Sequence, residues 1–186
     1  IAGPSLVLDG DMELPGTANW PGYANPGTLQ KVNNVVRSGA QALYVQTPPD
    51  NGRVPEGGGN WGDQGGTQQL NIRTIPGRRY RVSFWYRLRG TLEPRLGAAN
   101  SNKDFEFPEP IIDANGNITI PWPYFGSAAQ WTQYQREFVA PNTNDLRLVF
   151  HLTDGEVVYN AAGEAVDYRN YESGEVWIDD VRVEEL

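Results

Sequence analysis

What most limits the fold of this chain is a series of short runs in which apolar and polar residues alternate with a period of two. The sharpest is Arg79–Arg89, RYRVSFWYRLR, where Tyr80, Val82, Phe84, Tyr86 and Leu88 fall on one side and Arg81, Ser83, Trp85 and Arg87 on the other. Successive side chains of a strand point to opposite faces, so such a run offers one face to a core and one to solvent. Further runs are Ser5–Leu14, Thr28–Arg37, Gln41–Thr47, Thr67–Arg73, Leu92–Ala98, Trp131–Ala140, Asp145–Thr153 and Glu175–Leu186. No segment carries a helical period. Strands that are apolar on one face need a second sheet to cover it, which predicts an all-β, two-sheet antiparallel β-sandwich. One such sandwich accommodates residues 1–186 as a single domain.

Turn formers and large rings fit that expectation, with Gly 21, Pro 14, Trp 6, Tyr 9 and Phe 6. Two stretches interrupt the series, at about 100–130 and 155–174, and both are rich in aromatic residues. Connections that long are commonly functional, and their rings predict that they fold onto the sandwich. A net charge of −8 argues against nucleic acid, because phosphate contacts need clustered Lys and Arg. No apolar run approaches the roughly 20 residues that span a bilayer, so membrane insertion is not expected. With Cys 0 there is no disulfide framework and no thiolate metal site. The first residue is Ile1 rather than Met, which predicts that a signal peptide or a larger parent protein has been removed.

Several segments, in order, resemble the jelly-roll carbohydrate-binding modules of the family 4, 9, 16 and 22 type, whose sandwich is galactose-binding-domain-like. LVLDGDMEL (Leu6–Leu14) is similar to their N-terminal pattern, and RSGAQALYVQ (Arg37–Gln46) to their Ser-Gly-x-x-Ser/Ala-Leu strand. NWG (Asn60–Gly62) resembles their Trp-Gly loop, and PGRRYRVSFWYRL (Pro76–Leu88) their Gly-x-x-Tyr-x-x-Ser-Phe-Tyr strand. WTQYQREFVAP (Trp131–Pro141) and EVWIDDVRVEEL (Glu175–Leu186) are similar to their last strands. The resemblance implies non-catalytic binding of polysaccharide or oligosaccharide by an extracellular bacterial protein, secreted or at the cell surface. It also implies attachment to a larger secreted glycan-degrading enzyme.

Asp9, Asp11 and Glu13 lie two residues apart, so in an extended strand their carboxylates would share one face. Like charges so placed call for a hard cation or for a solvated acidic edge. The resemblance implies the former, a structural calcium ion held by Asp11, Glu13, Asp180 and a carbonyl near Gln41.

Sugar rings pack their C–H faces on aromatic rings and pair their hydroxyls with polar side chains. Alternation turns out Trp85 and Arg87, Gln133, Gln135 and Glu137, Arg147, Val149, His151 and Thr153, and Gln69 and Asn71. If those strands form the concave sheet, Trp85, Arg87, Gln135 and His151 line one groove. A large ring in a Gly- or Pro-rich loop has few ways to be buried, which adds Trp61, Trp122 and Tyr124. The predicted ligand-binding set is therefore Trp61, Trp85, Arg87, Trp122, Tyr124 and Gln135, while Trp131 and Trp177 read as packing residues at strand ends.

Catalysis finds little support, since the single His151 sits in a strand and neither a Gly-x-Ser-x-Gly elbow nor a His-Glu-x-x-His motif occurs. Two other readings stay open. One is an extracellular structural protein of a filament, surface layer or virion, self-assembling through its aromatic insertions. The other is a small jelly-roll glycoside hydrolase or polysaccharide lyase, the latter using a Tyr and His151.

Overall fold

The computed structural model describes residues 3–49, 63–98, 111–112, 118–119, 125–140, 145–162 and 164–186. Among the described residues twelve strands follow one another: β1 Thr28–Val32, β2 Ala42–Gln46, β3 Gln64–Ile72, β4 Arg79–Arg89, β5 Thr91–Ala98, β6 Ile111–Ile112, β7 Ile118–Thr119, β8 Ala128–Val139, β9 Leu146–Thr153, β10 Gly155–Tyr159, β11 Ala165–Asn170 and β12 Glu175–Glu185. One sheet has the order β1-β2-β12-β4-β8 and another β3-β9-β5; β6 pairs with β7, and β10 with β11. All these pairings are antiparallel. Several sheet neighbours are distant in sequence, as in a jelly roll: β12 lies between β2 and β4, and β9 between β3 and β5.

The period of two explains the core. Tyr80, Val82, Phe84, Tyr86 and Leu88 of β4 meet Leu146, Leu148, Phe150 and Leu152 of β9 in one buried cluster. Phe84 sets its ring edge-on to Phe150 at 4.9 Å between centroids, and Trp20, fully buried, lies 6.0 Å from Phe150. Tyr86 stacks on Phe125 at 5.1 Å, which fastens the segment before β8 to the core. Leu92 of β5 exchanges both backbone hydrogen bonds with Phe125. Pro94 follows two residues later on the same β5 edge.

The predicted first strand, Ser5–Leu14, does not form. A single bridge pairs Ser5 with Glu184, and beyond it the chain turns, with Asp9 at φ 50° and Met12 at φ 62°. Lys31 Nζ lies 2.6 Å from Asp9 Oδ2, with both side chains almost wholly buried, and the Trp20 indole donates to the Asp9 carbonyl at 3.0 Å. These local partners, with buried Met12, hold a turn where alternation alone suggested a strand. Asp9, Asp11 and Glu13 consequently do not share a strand face.

The stretch 155–174 supplies the hairpin β10–β11, anchored where the Glu156 carboxylate accepts from Ser127 and from the Tyr171 hydroxyl at 2.6 Å. Among the described residues no helix is long and apolar enough to cross a membrane.

Candidate functional site

The outer face of the β3-β9-β5 sheet carries a row of largely buried polar side chains. Pro21–Tyr23 runs along β3, with Gly22 bridged to Thr67, Tyr23 N donating to Gly66 O and Gln68 N donating to Pro21 O. Register then lines up Tyr23, Gly66, His151 and Glu93 across the sheet, beside the row Gln68, Val149 and Arg95. Gly66 is required here, because a Cβ would lie 2.2 Å from the Phe150 carbonyl oxygen. Its missing side chain leaves the Tyr23 ring edge-on to His151 at 6.0 Å.

His151 Nε2 is 3.1 Å from Gln64 Oε1, while Nδ1 is 3.8 Å from the Glu93 carboxylate, beyond hydrogen-bond reach. Glu93 accepts from Arg95 at 2.7 Å. Burial by itself would raise the Glu93 carboxyl, but His151 and Arg95 outweigh it and hold it below the usual range. Two groups on this face, Gln68 Oε1 and His151 Nδ1, are buried without a hydrogen-bond partner. Sequence parity expected Gln69 and Asn71 to point outward. Instead Gln69 is buried, its amide bonded to Leu8 and Asn19, because a bulge between Gln69 and Ile72, with Asn71 at φ 60°, shifts the register.

Trp85, Arg87 and Gln135 lie on the opposite side of the sandwich, on the outer face of the β1-β2-β12-β4-β8 sheet, and so do not share a groove with His151. The single groove predicted from Trp85, Arg87, Gln135 and His151 is two faces. Arg37 covers the Trp85 ring with its guanidinium carbon 4.1 Å from the centroid. Gln135 is exposed opposite Ser83. Arg87 faces Trp177 across the β4–β12 pair, with its guanidinium carbon 5.7 Å from the ring centroid, and Tyr44 adjoins Trp177 on the other side at 5.2 Å. The Tyr44 hydroxyl donates to Glu175 at 2.6 Å, and burial together with that carboxylate raises its pKa. Tyr44 and Trp177 were missed as surface rings, although the alternation of Val176 and Ile178 already turns Trp177 outward. Trp61, Trp122 and Tyr124 lie outside the described residues.

Of the four residues implied for calcium, Glu13 and Asp180 bond to the Arg37–Gln41 loop and Gln41 belongs to it. Glu13 accepts from the Ala40 amide at 2.9 Å, Gln41 Nε2 donates to Glu13 O, and Asp180 accepts from Ser38 Oγ at 2.6 Å and from Arg37 Nη1 at 3.0 Å. Asp11 is exposed and lines, with Asp9 and Asp180, an open cleft of about 260 Å³. Asp179 is fully buried and accepts from the amides of Arg37 and Ser38. Burial, reinforced by Asp180, pushes its carboxyl up to about 6 against the pull of those amides. Among the described residues no group of three or more His, Asp or Glu side chains converges as a metal cage. In this structure the Glu13 and Asp180 carboxylates are engaged by amide, hydroxyl and guanidinium donors of that loop.

No protein-family model matches the chain, and no curated protein matches it. Solved structures do share its fold. The bacteriophage CBA120 tailspike protein 4 enzymatically active domain matches at TM-score 0.60 and 14% identity; the alignment covers 98% of this chain and 21% of that one. A family 16 carbohydrate-binding module matches at TM-score 0.56 and 16% identity over 96% of this chain and 98% of that one. A family 4 module matches at TM-score 0.56 and 15% identity over 97% and 99%. The fold is thus the jelly-roll β-sandwich found in carbohydrate-binding modules. At these identities the likeness concerns fold alone.

Proposed function

We propose that the protein binds a polysaccharide or oligosaccharide, without cleaving it, on the outer face of the β3-β9-β5 sheet. The observation that carries this reading is the pair of buried, unpartnered groups there, Gln68 Oε1 and His151 Nδ1. An unmet buried polar atom costs on the order of 1–3 kcal/mol, and a sugar hydroxyl, both donor and acceptor, relieves it where binding parts the side chains that close these atoms from solvent. Tyr23 supplies a ring beside them and Glu93 a carboxylate held in its ionised form. Trp61, Trp122 and Tyr124 are the aromatic part of the same proposal. Calcium belongs to it too, as a stabilising ion beside Glu13 and Asp180 rather than a part of the sugar contact. A module of this kind fits a larger secreted or cell-surface bacterial protein that degrades glycans.

Affinity electrophoresis in gels containing different polysaccharides tests the reading. At least one glycan should retard the wild type, and His151→Ala and Gln68→Ala should each remove the retardation while a cooperative thermal transition shows that the variant is folded. Free migration in every gel, together with concentration-dependent assembly on size exclusion, would replace it with a structural role.

A further inference from the structure

The far side of the sandwich presents a second set of features, and the proposed glycan site uses none of them. Across the β1-β2-β12-β4 strands, register aligns Gln30, Tyr44, Trp177 and Arg87 in one outward row. The next outward row is Thr28, Gln46, Glu175 and Arg89. A cleft of about 500 Å³ opens over that second row, lined by Thr28, Gln46, Arg89 and Ser173 among others. Its size falls within the roughly 300–1,000 Å³ of small-ligand sites.

Charge identifies what the row can take. Arg37 meets Asp180, Arg79 and Arg81 meet Glu137, Arg89 meets Glu175, and Arg182 meets Glu184. Arg87 differs: among the described residues it has no carboxylate partner, its Nε is buried without an acceptor, and its described contact is the Trp177 ring. A guanidinium carries five donors in a planar fork suited to a carboxylate. Trp177 and Tyr44 are partly exposed and lie beside it, where the C–H face of a sugar ring can stack. In a chain of net charge −8, diffuse attraction to polyanions is ruled out, so an acidic ligand has to be held by a local receptor.

We propose that this outer face is a second binding site, for a saccharide bearing carboxylate groups. Trp177 and Tyr44 form the stacking surface, Arg87 receives the anion, and the cleft beside Arg89 and Gln46 takes the neighbouring sugar unit. The site is independent of the one on the β3-β9-β5 sheet, and either can fail without the other.

Affinity electrophoresis with polygalacturonate and alginate as probes, and fully methyl-esterified polygalacturonate as the uncharged counterpart, separates the outcomes. The acidic probes should retard the protein and the ester should not, with retardation weakening as salt rises. Arg87→Gln should weaken the interaction about tenfold to a hundredfold, the usual size for losing a charge-assisted pair, while Arg87→Lys keeps part of it. His151→Ala should leave it unchanged. Thermal denaturation of Arg87→Gln reports whether the variant is folded, and Trp177→Phe tests the ring without emptying the site. The proposal fails if neither acidic probe retards the protein, if Arg87→Gln binds like the wild type, or if the ester is held equally well.

Discussion

The two outer faces of the sandwich solve the same problem in opposite ways. On the β1-β2-β12-β4-β8 sheet, arginines and carboxylates alternate across strands in exposed ion pairs, and among the described residues Arg87 has no carboxylate partner. The β3-β9-β5 face instead buries its charges, with Glu93 and His151 nearly inaccessible and two hydrogen-bonding groups unmet. Exposed pairs contribute little to stability, whereas a buried polar row constrains which partner can complete it. One side therefore tolerates substitution, and the other is sensitive to it.

The shared core sets the scale for testing that contrast. Phe84→Ala removes a ring that both sheets pack against and should destabilise by about 3–5 kcal/mol in urea titration, with binding on both faces lost together. Should one face keep its ligand after the core has loosened, the two are less coupled than the packing indicates. Lys31→Met leaves Asp9 buried without its cation and should cost about 3 kcal/mol, most of it recovered when Asp9→Asn is added.

Acidity should separate the faces by sign. Asp179 sits where the β12–β4 register shifts, and its folded pKa of about 6 stands above its ordinary 3.8. Its burial cost is thus full above pH 6 and fades as pH falls toward 3.8. Asp179→Asn, measured with chelator present, should stabilise by up to about 3 kcal/mol at neutral pH, an upper figure because some amide contacts weaken, and by nothing at pH 3.5. Glu93 is lowered instead, so its contribution is present above the ordinary 4.5 and is lost as pH falls below it. Glu93→Gln should flatten that acid limb and weaken the glycan contact. At the small end, Arg79→Ala breaks an exposed pair and should change stability by less than about 0.5 kcal/mol, whereas an equal loss at Glu93 and Arg79 would erase the contrast.

Much of this architecture was legible from alternation. The run Arg79–Arg89 became β4 residue for residue, because each position had one apolar and one polar face to satisfy. Gln133, Gln135 and Glu137 came out exposed as parity required. The first segment misled because a turn and a strand can share a pattern of alternating residues; what decided it was Lys31, twenty-two residues away, closing on Asp9. Site residues were harder to read for a related reason. Parity tells which side of its own sheet a residue takes, yet Trp85 and His151 both point outward from different sheets and so face away from each other. Only strand order resolves that, and strand order here joins segments far apart in sequence.

Pro94 carries one last consequence. Two residues before it, Leu92 directs its amide toward Phe125 on the side of β5 away from β9, and in a strand Pro94 presents that same side with no N–H to offer. A strand from another molecule approaching there would lack a donor at the centre of its register. At that position the β5 edge cannot donate to an added strand, which weighs against lateral growth of the sheet there.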